Sequence, residues 1–280
     1  MEDDDVVMQI LIATGGAPHS DTAVRLGGRL AGQIAATVTL LTVVKNENDR
    51  AAGQAILQRA QKLLPEEVTA VTLQVRCGHP AEEIAAAAQE NPFHLVILGS
   101  RPEHDLVTRL LGSVARRVLT HTTCPVLVAK AEPATLHNIL ICESGREPTL
   151  LERLTTQLPA LLGSETQMTI LHVMSQIIAA PGVPEWQLHA SAVELMAEHT
   201  PEGEILEHDV LLLTENQASP QTKIRHGLVV DEIVAEANSG AYDLVVIGAH
   251  THLGAAWERL LLDDVSRAVV TQVTGAILVL

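Results

Sequence analysis

The sequence predicts an α/β protein of two similar domains in tandem, each a five-stranded, doubly wound parallel sheet, and three observations carry that prediction. Runs apolar at every position, Leu95 to Leu98 and Leu244 to Ile247, suit strands covered on both faces by helices. The stretch His94 to Val128 recurs near the C-terminus as Asp243 to Val279. Each copy has the same order: an aliphatic run closing on glycine, a loop, an amphipathic segment and a second aliphatic run. Gly99 and Gly248 thus stand at the carboxyl ends of strands, where ligands of such sheets sit.

Val6 to Ala13 reads as the first strand. The turn Thr14-Gly15-Gly16-Ala17-Pro18-His19-Ser20 follows, its glycines able to bring backbone close to a ligand. Ser20 or Asp21 is then the expected cap of a helix from Asp21 to Ile34, which sets Ala23, Leu26, Leu30 and Ile34 on one face. Thr37 to Val44 is β-branched enough for strand two. Asn46 to Leu64 is polar, then weakly amphipathic, and Pro65 ends it. Val68 to Val75 alternates as strand three. Cys77-Gly78-His79-Pro80 turns into an alanine-rich helix from Ala81 to Gln89, and Pro125 to Ala129 is strand five.

Ala131 to His137, interrupted by Pro133, is the expected boundary, giving domains 1–133 and 134–280. The pattern then restarts. Asn138 to Cys142 repeats Gln9 to Ala13, Met168 to Met174 repeats Val38 to Val44, and Arg225-His226-Gly227 repeats Arg76-Cys77-Gly78. The middles differ: 34 positions separate Val44 from Gly78, and 53 separate Met174 from Gly227. The extra length holds Trp186 to His199 and an apolar stretch at Val210 to Leu213. It is an added helical segment by its plain reading, and a lid or partner surface by its functional one.

Composition limits the function classes. The chain of 280 residues is 47% hydrophobic, so two ordinary cores can form, but aromatics are 1% and offer no row of rings for stacking bases. A net charge of −16 opposes a phosphate backbone, which argues against nucleic acid. Cys77, Cys124 and Cys142 form no CxxC and fit buried apolar thiols in a reducing compartment. The acidic start Met1-Glu2-Asp3-Asp4-Asp5 is unlike a signal peptide, and no apolar run approaches a membrane span, so a cytoplasmic location without membrane contact is expected. Walker A, GxSxG and HExxH sequences are missing, and no catalytic nucleophile or base can be named. His250-Thr251-His252 has a turn-like metal spacing without a third ligand, and no metal is expected.

From Gly99 the pattern G-x2-P-x9-G-S runs to Gly112-Ser113. Here the chain resembles the universal stress protein family, whose nucleotide-binding members carry G-x2-G-x9-G-[ST] after strand four. The resemblance extends to the ILIATGG opening, to CGHPAEEI and HGLVVDEI, and to the CPVLV ending, and it covers the whole chain as a tandem pair. It implies two flavodoxin-like (Rossmann-like) units paired as a pseudo-dimer, a role in stress adaptation, and ATP or AMP as the ligand of the first unit. The candidate ligand contacts are Thr14 and Gly15 in the first turn and Gly99, Gly112, Ser113 and Val114 in the motif, with Arg101 able to add a charge. The physical case is independent: glycines admit close backbone approach, and Ser113 with Val114 opens a helix whose free N–H groups favour an anion. Two positions depart from the pattern. Pro102 replaces the middle glycine and has no N–H, and Gly15 stands where binding members carry an Asp. Gly112 and Ser113 also fit a plain loop and helix cap, and the rival function is a scaffold of the same fold that binds no nucleotide.

In the second half Asp263 and Asp264 stand where Gly112 and Ser113 stand, and Thr251 replaces Pro102. A carboxylate and a phosphate charge repel by about 4 kcal/mol at 4 Å and an effective dielectric of 20. A helix end returns about 0.3–1 kcal/mol, so nucleotide is not expected there. Blandly, either Asp caps the helix starting near Val265. The apolar fifth strands, Val126 to Val128 and Ile277 to Val279, invite strand pairing, and one chain holding both makes intramolecular pairing the expectation.

Overall fold

The computed structural model describes residues 7–100, 112–175, 185–251, 260–261 and 264–280. Contacts divide the chain into two compact units, one of Met1–Glu132 with His250–Leu261, the other of Pro133–Ala249 with Leu262–Leu280.

In the first unit, β1 (Gln9–Ala13), β2 (Thr37–Val44), β3 (Val71–Cys77), β4 (Leu95–Gly99) and β5 (Val126–Ala129) form a parallel sheet in the order β3-β2-β1-β4-β5. The helices between them are α1 (Pro18–Gln33), α2 (Arg50–Gln61), α3 (Pro80–Glu90) and α4 (Ser113–His121). Strand order reverses between β1 and β4, so the chain leaves their carboxyl ends in opposite directions and opens a crevice there. The core is aliphatic: Ile10, Leu11, Ile12, Leu26, Leu40, Leu95, Ile97 and Leu127 are buried.

The second unit repeats the arrangement. Its strands β6 (Asn138–Glu143), β7 (Gln167–Met174), β8 (Ser219–His226), β9 (Leu244–Ile247) and β12 (Ala276–Val279) run parallel in the order β8-β7-β6-β9-β12. Its helices are α5 (Leu150–Gln157), α6 (Ala192–Ala197), α7 (Pro201–Glu215), α8 (Val229–Ala237) and α9 (Asp264–Gln272). His250–Thr251 (β10) and Leu260–Leu261 (β11), which group with the first unit, pair antiparallel with each other. Among the described residues the added length of the middle is helical: a 3₁₀ turn at Glu185–His189, then α6 and α7. Capping explains these starts. Thr149 and Ser191 each close a capping box, with Glu152 and Glu194, and Thr200 caps α7 ahead of Pro201.

Several expected boundaries move. Strand one begins at Gln9, and Val7 is exposed. Helix α1 begins at Pro18 with Ala17 as its N-cap, three residues before the predicted start. Pro18 suits a first helical position because the N–H it lacks would have no helical acceptor, and the Ser20 hydroxyl donates to the Ala17 carbonyl (2.7 Å) instead of capping. Strand three starts at Val71, since the Val68 N–H is held in a turn by the Pro65 carbonyl at 3.1 Å. The segment 46–64 resolves into a 3₁₀ turn at Glu47–Asp49 and α2. Of the cysteines only Cys142 is buried; Cys77 and Cys124 are half-exposed. A hydrogen bond to the Glu47 carboxylate raises the Cys77 thiol, and burial pushes Cys124 up to about 11, so both thiols are held protonated.

Candidate functional site

The crevice of the first unit is built from three pieces: the turn after β1, the end of β4 and the start of α4. Register places Ala13 opposite Leu98, so Thr14 and Gly99 leave the sheet side by side. Helix α4 leads into β5, parallel to β4, so its N-terminus lies at the same end of the sheet.

In the turn, Thr14 is buried and its hydroxyl is committed. The Gly16 N–H donates to Thr14 Oγ1 (3.2 Å), which donates to Ser20 Oγ (3.2 Å), which donates to the Ala17 carbonyl. Thr14 therefore holds the turn in shape. Gly16 has φ +75°, a left-handed conformation that favours glycine, and the Arg59 guanidinium donates to its carbonyl. Gly15 is open: a Cβ built there meets no described atom within 4 Å.

Gly99 has a different reason to be glycine from the one its motif implies. A Cβ there would overlap the His19 carbonyl, at 2.6 Å from its carbon, and stand 2.9 Å from the Ser20 Cα. The first turn of α1 packs directly over the end of β4, and only a hydrogen leaves room for it. Gly112 is the N-cap of α4, and a Cβ there meets no described atom within 4 Å. Ser113 and Val114 form the first turn; the first helical bond is Arg116 N–H to the Gly112 carbonyl (3.0 Å), leaving the N–H groups of Ser113, Val114 and Ala115 without a partner inside the helix. Arg101 and Pro102 lie outside the described residues.

The second unit fills the corresponding space with its own side chains. Glu143 stands where Thr14 does, and it is buried. Its Oε1 accepts from the Gly145 N–H (2.9 Å) and its Oε2 from the Leu150 N–H (2.8 Å), so this carboxyl group occupies both the turn and the N-terminus of α5. Gly145 matches Gly16 with φ +75°. Arg153 of α5 reaches across the end of β9 and donates to the Ala249 carbonyl (3.2 Å). Burial lowers the pKa of Arg153, and the field of Glu143 opposes that shift. Gly248, the counterpart of Gly99, is not crowded: its built Cβ has Arg153 Nη1 at 3.5 Å and Leu150 Cδ1 at 3.7 Å as nearest described atoms. Asp264 opens α9 with an almost wholly exposed side chain 3.5 Å from Arg267; Asp263 and His252 lie outside the described residues. No group of three or more His, Cys, Asp or Glu among the described residues is arranged to hold a metal, and no described helix is long and apolar enough to cross a membrane.

Sequence reasoning missed Glu143 and Arg153. The repeat alignment carried a signal for the first, since Glu143 follows Cys142 as Thr14 follows Ala13. The capping box Thr149-x-x-Glu152 marked the helix that brings in the second.

The model of the Universal stress protein family matches residues 7–130 and 154–280. Universal stress protein MJ0531 of Methanocaldococcus jannaschii is 36% identical over 78 residues, 28% of this chain and 46% of that protein. Universal stress protein YxiE of Bacillus subtilis is 36% identical over 88 residues, 31% of this chain and 58% of that protein. The matches thus span about half the length of these relatives. A universal stress protein from Archaeoglobus fulgidus DSM 4304 superposes with a TM-score of 0.66 over 97% of both chains at 16% identity, a likeness of fold.

Proposed function

Since the chain belongs to the universal stress protein family, matched over both of its halves, we propose that its first unit binds an adenine nucleotide, ATP or AMP, and that its second unit does not. The observation that carries this reading is Gly112: an N-cap where a built Cβ meets no described atom within 4 Å, followed by helical N–H groups that have no partner inside the helix and suit an anion. Gly15, where a built Cβ likewise meets no described atom within 4 Å, leaves room for the nucleoside end. In the second unit Glu143 stands where Thr14 does, and its buried carboxyl group, bonded to the Gly145 and Leu150 N–H groups, repels phosphate. The role is ligand-dependent interaction in stress adaptation, in the cytoplasm, without turnover. The domains are 1–133 and 134–280, and they pair along Val126–Val128 and Ile277–Val279, an arrangement amide exchange can check.

Calorimetric titration of the intact chain with ATP and AMP is the test. One site is expected, lost in Gly112→Asp. Two equal sites, or equal heats from wild type and Gly112→Asp, refute the assignment. No heat with either nucleotide favours the second reading, a scaffold working through protein contacts, for which Gly99 speaks because packing alone accounts for that glycine.

A further inference from the structure

Three carboxyl groups of the second unit converge on two consecutive residues at the start of α5. The Thr149 N–H donates to Glu152 Oε2 (2.7 Å), the Thr149 hydroxyl to Asp209 Oδ1 (2.8 Å), and the Leu150 N–H to Glu143 Oε2 (2.8 Å). Asp209 comes from α7, 60 residues away, and is wholly buried. Its Oδ2 has no hydrogen-bond partner among the described residues. A buried carboxylate with one donor and a second carboxyl group across the same helical turn is a poor place for a negative charge, whereas a protonated carboxyl still accepts the Thr149 hydrogen bond through Oδ1.

We propose that Asp209 and Thr149 form a proton-operated latch in the second unit: with Asp209 neutral, α7 is seated on the N-terminus of α5, and loss of that proton loosens it. Burial first, and the nearby Glu143 second, push the Asp209 carboxyl up to about 7. The Thr149 hydrogen bond and His208 act the other way, and Glu152 adds to the repulsion. His208 is turned to Glu152 (Nε2 to Oε1, 3.2 Å), and Arg153 donates to Ala249. On β7, His172 Nδ1 lies 3.1 Å from the Glu143 carbonyl; on β8, Lys223 and Arg225 are engaged by Glu232 and Glu236; on α6, Glu194 is bonded to Ser191. None of these hydrogen bonds or ion pairs brings a cation to Asp209. The latch needs no nucleotide and stands apart from the reading of the first unit.

The folded pKa lies above the value of 3.8 for a free Asp, so the folded state keeps a proton the unfolded chain gives up. The stabilisation is full below the unfolded value and is lost as pH rises through the folded one. The unfolding constant of wild type relative to Asp209→Asn should therefore rise on the order of a hundredfold or more between about pH 4 and 8. The direct readout is a carboxyl carbon NMR titration of the intact, isotope-labelled chain. Asp209 is expected to titrate near 7, with amide shifts of α5 and α7 moving at the same midpoint in wild type and not in Asp209→Asn. An Asp209 midpoint near the ordinary value of about 4, or α7 amides indifferent to its titration, overturns the latch.

Discussion

Replacing Gly99 by alanine separates packing from ligand approach as the reason for that glycine. The new methyl carbon would overlap the His19 carbonyl and stand 2.6 Å from its carbon and 2.9 Å from the Ser20 Cα, all backbone atoms that no rotamer change can move aside. Relief requires the first turn of α1 to lift from β4, dragging on a helix whose Ala23, Val24, Leu26 and Leu30 are buried against the sheet. Overpacking of this kind costs about 1–3 kcal/mol, and rigid neighbours put Gly99→Ala at the upper end. For a unit of this size that is a fall in Tm of roughly 10 °C. Gly248→Ala is the internal control, because its methyl would meet described atoms at 3.5 Å and 3.7 Å, ordinary contact distances. That change should be neutral or stabilising by about 0.4–1 kcal/mol, through the less flexible unfolded chain. Calorimetric melting with no nucleotide present reads both. Gly99→Ala within about 0.5 kcal/mol of wild type, or Gly248→Ala equally damaging, refutes the packing account.

Thr42 on β2 is buried with an Oγ1 that has no hydrogen-bond partner among the described residues, so Thr42→Val, which keeps the shape, should stabilise by about 1 kcal/mol in urea unfolding; a loss would show the hydroxyl to be satisfied. Pairing of the fifth strands predicts slow amide exchange at both Val126–Val128 and Ile277–Val279 in the intact chain, and fast exchange at either run rejects it.

What could be read from the sequence was what short segments decide for themselves. Strand two runs from Thr37 to Val44 as its β-branched run indicates, and both units carry five parallel strands, because runs apolar at every position have to be covered on both faces. The repeat placed the glycines that follow the fourth strand of each unit, whereas strand three, read as ending at Val75, runs on to Cys77. Helix α1 was legible as a face and not as a start, since Pro18 competes with Ser20 and Asp21 for the same few positions.

The site was legible in its glycines and not in their reasons. Gly99 and Gly112 look alike in a motif, yet a backbone 80 residues earlier crowds the first and no described atom crowds the second. Likewise, nothing near Asp209 in the chain marks it out; it sits in α7 among Glu207, His208 and Val210 as an ordinary helix acid. Its burial, its single donor from Thr149 and its closeness to Glu143 arise only when β6, α5 and α7 are folded together. Hydrophobic period and turn chemistry are local and survive in the sequence, whereas excluded volume and desolvation belong to whichever atoms the fold makes neighbours, and these only the tertiary structure decided.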